Sequence, residues 1–147
     1  MPDAGLRQFY LIGMGSNIEP ERYLCAAAVA IRRRFPETCF SAVYRSPAVG
    51  MEDAADFLNA CCRLQSELSP QALGEWLKLL EDEHGRDRSL GSWRPRTLDL
   101  DLLMAGDEVL DDDLFRYAHA YVPARELMCL PGPKPEQEGL QITDLRL

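Results

Sequence analysis

Residues 97–104 of the chain, TLDLDLLM, alternate between polar and apolar side chains. Such alternation predicts a half-buried β-strand, because successive side chains of a strand point to opposite faces of the sheet. Asp99 and Asp101 are then expected to share one face, about 7 Å apart along the strand. The residues expected to face a core on the other side are Leu98, Leu100, Leu102 and Met104.

Five segments upstream of this strand also carry helix or strand patterns. Apolar residues at helical spacing predict one helix from Glu21 to Phe35 and another that begins at Pro70 and is ended by Gly85. Aromatic and aliphatic runs bounded by turn residues predict strands at Gln8–Ile12, Cys39–Tyr44 and Phe57–Leu64. The resulting order, βαββαβ, is typical of ferredoxin-like α+β folds with an antiparallel sheet.

Two segments outside this pattern are predicted to be irregular. Residues 86–96 contain glycine, proline and charge without an apolar period, which indicates a long loop. The run Pro131–Pro135, PGPKP, excludes a helix or a central strand, so we expect an irregular C-terminal segment.

Length and composition indicate one globular domain over residues 1–147, with 46% hydrophobic and 27% charged residues. The apolar runs are too short to span a bilayer and no basic leader precedes one, so we expect no membrane association. Five cysteines without a C-x-x-C motif favour a reducing cytoplasm over a disulfide framework. We also expect a monomer.

The formal net charge of -8 argues against general nucleic-acid binding. The positive charge that exists is almost all arginine, and four arginines fall between Arg86 and Arg96. They suit a small polyanion, because one planar guanidinium group can donate two parallel hydrogen bonds to two phosphate oxygens. A solvated basic loop would have the same composition.

The carboxylate pair Asp99 and Asp101 has two interpretations. It is either the acidic solvent face of an amphipathic strand or a site for Mg²⁺, which prefers oxygen ligands and holds substrate phosphates. The neighbouring arginine loop favours the second, because a site for a metal and a nucleotide needs both kinds of charge.

Other motifs are less specific. The glycines of residues 13–17, GMGSN, lack the third glycine of a dinucleotide fingerprint and predict a turn after a strand. Trp93 either packs onto the body of the protein or covers a planar ligand. His84 and His119 are isolated and have no metal-ligand spacing.

Taken together, these residues resemble the 6-hydroxymethyl-7,8-dihydropterin pyrophosphokinase family. The resemblance runs from Tyr10 to about Arg125, and its most specific part is Gly85-Arg86, Arg88 and the run at residues 93–102, WRPRTLDLDL. Supporting motifs are Gly15-Ser16-Asn17, Tyr44-Arg45-Ser46-Pro47 with Gly50, and Asp56-Phe57-Leu58-Asn59-Ala60. The family moves the diphosphate of ATP onto a pterin alcohol and releases AMP.

The resemblance implies a nucleotide site with ATP as co-substrate. Asp99 and Asp101 would bind two Mg²⁺ ions, and with Arg86 and Arg96 they would form the catalytic set. Glu81 and Trp93 would help to hold the nucleotide site, and Arg88 would lie on a loop that closes over it. The implied phosphate contacts are Arg86, Arg96, His119 and Arg125.

The resemblance also implies a pterin site. The ring would meet backbone around Ser46, Pro47 and Val49, Asn59 would bond its polar edge, and Phe57 would stack on one face. The family usually has a second aromatic wall where this chain has Leu127. At the position of Phe57 the family often has tyrosine. At the position of His119 the family's histidine commonly lies next to proline, whereas Ala118 and Ala120 flank it in this chain.

Three functions remain open on the sequence. The first is the pyrophosphokinase reaction of folate biosynthesis, and the second is a divergent or inactive member that binds ATP and magnesium but uses another alcohol. The third is an RNA-recognition domain, which shares the element order. The third is disfavoured because neither Phe9–Gly13 nor Phe57–Cys61 carries the aromatic and basic pattern of such domains.

Overall fold

The computed structural model describes residues 7–47, 56–84, 98–130, 134–136 and 139–147. These segments contain seven strands and four helices. In chain order they are β1 (Gln8–Ser16), α1 (Pro20–Arg34), β2 (Cys39–Phe40), β3 (Tyr44–Ser46), β4 (Phe57–Ser66), α2 (Pro70–Glu83), β5 (Asp99–Ala105), β6 (Glu108–Val109), α3 (Asp113–Arg116), α4 (Ala118–Arg125) and β7 (Gln141–Ile142).

The sheet is built on three long strands, β1, β4 and β5, with β1 in the centre. The order across the sheet is β6-β5-β1-β4-β3-β7, and β2 also pairs with β4. Every described pairing is antiparallel. The predicted α+β class with an antiparallel sheet is confirmed.

One face of the sheet is covered by α1 and α2. Both helices begin with proline, which suits a first turn, and the Ser69 hydroxyl caps α2 by accepting a hydrogen bond from the N–H of Ala72 at 3.1 Å. Their apolar stripes pack on alternate residues of the strands and form the first core. Among the fully buried members are Tyr10, Ile12, Leu24, Ile31, Leu73 and Leu98.

The opposite face is covered only in part, by α3 and α4. Leu11 of β1, Cys61 of β4 and Leu103 of β5 pack there against Leu114 and Ala124, forming a smaller second core. Both helices are short, so the sheet beyond them is left open at the end where β5 begins. This opening is the cleft described below.

The expected alternation of β5 fails after Leu102. Ile12 of β1 pairs with Leu102 and Leu11 pairs with Met104, so Leu103 is an extra residue in β5 at a bulge. A bulge shifts every later side chain by one position. The prediction that Met104 faces the same core as Leu98 was therefore wrong, since Met104 packs in the second core.

The second predicted strand, Cys39–Tyr44, is divided into β2 and β3. The Ser41 hydroxyl accepts a hydrogen bond from the N–H of Cys61 at 2.9 Å, a position that a strand carbonyl would otherwise take. The chain leaves the ladder there and rejoins it at Tyr44. A side-chain oxygen that competes with the backbone is a common cause of such interruptions.

The C-terminal segment is largely irregular, as expected, but it contains the short strand β7. Ile142 and Gln141 pair with Tyr44 and Arg45 of β3. Thr143 continues the contact, because both its N–H and its hydroxyl donate to the carbonyl of Val43 at 2.9 Å. The tail therefore protects one edge of β3. None of the described helices has the length and apolar character needed to cross a membrane.

Two leucines of α2 test how the first core contributes to stability. Leu77 is 2% exposed, whereas Leu79 is 60% exposed. Leu77→Ala should lower the free energy of unfolding by about 2–5 kcal/mol because it opens a cavity, and Leu79→Ala by less than about 0.5 kcal/mol. Urea unfolding measures both, and equal losses would contradict the assignment of this core.

Candidate active site

A cleft of about 470 Å³ lies on the sheet face that α3 and α4 leave open. Its floor is formed by β1, β4 and β5, and its walls come from β3 on one side and from α3 and α4 on the other. The lining residues are Gly13, Met14, Gly15, Ser46, Pro47, Phe57, Asn59, Ala60, Asp99, Asp101, Leu103, Asp111, Asp113, Tyr117, His119 and Ala120.

The two predicted metal ligands lie directly opposite the two glycines of β1. Asp99 pairs with Gly15 and Asp101 pairs with Gly13, and residues paired in this way share a face of the sheet. Beside each carboxylate the floor is therefore bare backbone. A methyl group on Gly15 would lie 3.5 Å from Asn59 Oδ1, and one on Gly13 would lie 3.2 Å from Leu103 Cδ1. The bare backbone at Gly15 thus leaves room beside Asp99, whereas the side chain of Leu103 fills the space next to Gly13.

The donor set suits a hard cation that is shared with a substrate. Within the described parts of the chain no group of three or more histidine, cysteine, aspartate or glutamate side chains is arranged to hold a metal ion. Mg²⁺ does not need such a group, because it keeps several waters and completes its shell with substrate phosphates after binding one or two carboxylates. Asp99 and Asp101, which both line the cleft, fit that requirement.

Glu81 secures the strand that carries these carboxylates. It is 3% exposed, although it is an acidic residue of α2. One carboxylate oxygen, Oε2, accepts a hydrogen bond from the N–H of Leu100 at 2.7 Å. Since β6 pairs with β5 only at Met104 and Ala105, this bond satisfies the backbone of β5 where none of the described strands does so. Glu81 thus fixes the position of the segment between Asp99 and Asp101.

His119 of α4 faces the same cleft. Its ring is stacked on Tyr117, with centroids 5.1 Å apart and an angle of 15° between the planes. Burial lowers the pKa of His119 below 6.5, while the nearby carboxylates of Asp113 and Asp99 act in the opposite direction and offset only part of the shift. Near neutral pH the ring is uncharged and has one N–H donor.

The β3 and β4 side of the cleft is neutral. Asn59 Nδ2 donates to Ser46 Oγ at 2.8 Å and to the Tyr44 carbonyl at 3.3 Å. With its amide N–H groups engaged on this side, the Oδ1 atom remains as an acceptor near Gly15. Phe57 and Pro47 add apolar surface. This part of the cleft suits a flat heterocycle with polar edges.

Comparison with known proteins matches residues 11–137 to the 7,8-dihydro-6-hydroxymethylpterin-pyrophosphokinase (HPPK) family. The chain belongs to this family. A 2-amino-4-hydroxy-6-hydroxymethyldihydropteridine pyrophosphokinase of Pseudomonas aeruginosa is 37% identical over 123 residues, 82% of this chain and 75% of that protein. Proteins of the same name from Haemophilus influenzae and Aquifex aeolicus are 36% and 31% identical over 82% of this chain, covering 76% and 75% of their lengths.

Most of the predicted site residues within the described part of the chain lie around one cleft. Asp99, Asp101 and His119 meet Ser46, Pro47, Phe57 and Asn59 around one cleft. Five predicted site residues lie outside the described part of the chain, namely Val49, Arg86, Arg88, Trp93 and Arg96.

Three other predicted residues in the described part of the chain do not line the cleft, and one of them is Glu81, which is buried and hydrogen-bonded to β5. Leu127, expected as a wall of the pterin site, packs against the second core, and its carbonyl accepts a hydrogen bond from Arg63 Nη1 at 2.7 Å. The N–H groups of Leu127 and Met128 donate to the carbonyl of Ala124, and this turn carries Leu127 away from the opening. Arg125 is exposed at the end of α4.

Several lining residues were not predicted from the sequence. Asp111 and Asp113 lie at the start of α3 and add two carboxylates to the cleft, and Tyr117 and Ala120 complete the α4 wall. The only signal was the run of three aspartates at residues 111–113. Such a run could equally be the solvated start of a helix. Only the folded structure shows that it lies in the same cleft as Asp99.

The shifted pKa of His119 can be tested through Asp113. Asp113→Asn should lower this pKa further, since the carboxylate is one of the two charges that raise it. The histidine ring signal followed by NMR against pH measures the change, and its loss in His119→Gln assigns it. Asp112→Asn is the neighbouring control and should have less effect. A pKa that rises in Asp113→Asn would contradict the electrostatic account.

Proposed function

We propose that this chain performs the reaction of the HPPK family, the transfer of the diphosphate of ATP to the hydroxymethyl group of 6-hydroxymethyl-7,8-dihydropterin with release of AMP, a step of folate biosynthesis. The observation that carries the proposal is the family match over residues 11–137, within which a carboxylate pair and a neutral heterocycle pocket share one cleft. The five cysteines are free thiols, in keeping with the expected cytoplasmic location. A monomeric state is part of the same proposal.

The acidic half of the cleft is proposed to take the phosphates of ATP. Asp99 and Asp101 would hold two Mg²⁺ ions. Magnesium bound there would neutralise the charge of the phosphates and fix their orientation. Glu81 keeps both carboxylates in place through the backbone of Leu100.

The phosphate contacts are proposed to come from neutral and positive donors around the carboxylates. His119 offers an uncharged N–H inside the cleft. Arg86, Arg96 and Arg125 would supply charge, with Arg88 and Trp93 over the nucleotide. The arginines are needed because the described wall of the cleft is acidic, and ATP is itself an anion.

The neutral half is proposed to hold the pterin. Asn59 Oδ1 would accept from an N–H on the polar edge of the ring, while Ser46 keeps the Asn59 amide oriented. Phe57 would pack against one face, and Pro47 with Val49 would line the edge. A single aromatic wall is consistent with the position of Leu127 in the second core.

The chain then contributes by positioning and by charge, without forming a covalent bond to the substrate. With the pterin beside Asn59 and the phosphates beside Asp99 and Asp101, the hydroxymethyl oxygen can attack the β-phosphorus while AMP leaves. Direct attack inverts the configuration at that phosphorus. Retention would contradict it.

An assay of AMP release with ATP, Mg²⁺ and 6-hydroxymethyl-7,8-dihydropterin tests the proposal. We expect AMP in proportion to pterin consumed. Release of AMP only with a different alcohol would establish the divergent acceptor instead, and ATP binding without any AMP release would indicate an inactive member of the family.

Replacing either proposed metal ligand distinguishes an effect on the reaction rate from an effect on the stability of the fold. Asp99→Asn and Asp101→Asn should each lower the rate of AMP release by roughly a hundredfold or more, because the uncharged amide is a poor ligand for Mg²⁺. The free energy of unfolding should stay within about 1 kcal/mol, since surface substitutions of equal size cost little. Asp107→Asn, in the exposed turn between β5 and β6, is the control. A variant at residue 99 or 101 with near-normal AMP release would refute the metal assignment.

A further inference from the structure

Glu126, the residue that follows α4, makes two hydrogen bonds with β3 and the segment before it. Its Oε1 atom accepts a hydrogen bond from the N–H of Ala42 at 3.0 Å. Its Oε2 atom accepts one from the hydroxyl group of Tyr44. The two oxygens of one carboxylate thus bind both the segment before β3 and the first residue of β3.

The Tyr44 hydroxyl is a dependable donor in this pair. Burial, followed by the hydrogen bond to Glu126 and the charge of Glu126, raises the pKa of Tyr44 from 10.0 to about 12. The phenol therefore stays protonated over the working range of most enzymes.

Strand β3 needs such support because it is short. It has three residues, and its outer neighbour β7 has two. A strand of this length has few ladder bonds of its own to define its position. Glu126 adds two hydrogen bonds at the end of β3 where the chain enters from β2.

A shift of Tyr44 would reach the neutral half of the cleft directly. The carbonyl of Tyr44 and the hydroxyl of Ser46 accept hydrogen bonds from the same Asn59 Nδ2 atom, at 3.3 Å and 2.8 Å. Ser46, Pro47 and Asn59 all line the cleft. By contrast, β5 with its carboxylates is held separately, by β1 and by Glu81.

We infer that Glu126 is a positioning residue for the pterin, which joins α4 to β3 and thereby sets the placement of Ser46 and Asn59. This inference rests on the proposed function. Glu126 touches neither substrate in it and acts only through Tyr44 and Ala42. The role requires a side chain with two acceptor oxygens and the length of glutamate.

Steady-state kinetics of AMP release test the inference with Glu126→Ala, Tyr44→Phe and the double variant. In each single variant we expect the KM for the pterin to rise roughly three- to tenfold, the effect of about one hydrogen bond. The KM for ATP and kcat should stay within about twofold, because β5 and its supports are unchanged. The double variant should be little worse than Glu126→Ala alone, since both substitutions break the same contact.

Glu126→Gln supplies a conservative comparison. Its one remaining oxygen can still accept from Ala42, so the KM for the pterin should lie between those of the wild type and Glu126→Ala. Glu75→Ala is the matched control, because Glu75 is exposed on α2 and its described hydrogen bond is with Gln71 at 3.3 Å. This control should leave both KM values unchanged.

Several results would overturn the inference. An unchanged pterin KM, or equal rises in both KM values, would reduce Glu126 to a general stabilising residue. Additive effects in the double variant would show that Glu126 and Tyr44 act independently. A wild-type protein without AMP release would refute the proposed function and this inference together, whereas an active wild type with unaltered variants would refute the inference alone.

Discussion

The antiparallel pairing of β1 with β5 is the constraint on which the site depends. It places Asp99 over Gly15 and Asp101 over Gly13, so two carboxylates stand beside backbone that has no side chain. Two unit charges about 7 Å apart repel by roughly 0.6 kcal/mol in water and by more in a partly buried cleft. The repulsion becomes useful when a cation and phosphates occupy the same space.

The bulge in β5 allows one strand to contribute side chains to the cleft and to both hydrophobic cores. Before Leu103, the strand alternates between the first core and the cleft. After the extra residue, Met104 turns to the second core while Ala105 returns to the first. The bulge therefore ends the open stretch of the strand and begins the stretch that α3 and α4 cover. Bulges next to active sites often have this function of redirecting side chains.

Local patterns predicted the parts of the fold that depend on local chemistry. The alternation of residues 98–102 and the helical spacing of α1 and α2 are properties of single segments, and both were predicted correctly. The bulge at Leu103 depends on the partner strand β1, and the break at Ser41 depends on a hydrogen bond to Cys61. Neither contact is visible in a local pattern. The same reason explains the site, since Asp111 and Asp113 approach Asp99 only after α3 has folded across the sheet.

The two halves of the cleft differ in charge. The described acidic residues gather at β5 and α3, whereas β3 and β4 contribute a hydroxyl, an amide and apolar surface. A polyanion that entered this cleft alone would meet carboxylates and be repelled. It can bind only together with cations or with arginines, and the chain carries four arginines at residues 86–96, immediately before β5. The neutral half has no such requirement, because hydrogen bonds and shape suffice for an uncharged ring. In the proposed function, recognition of the nucleotide would therefore depend on charge compensation, and recognition of the pterin on the placement of a few neutral groups.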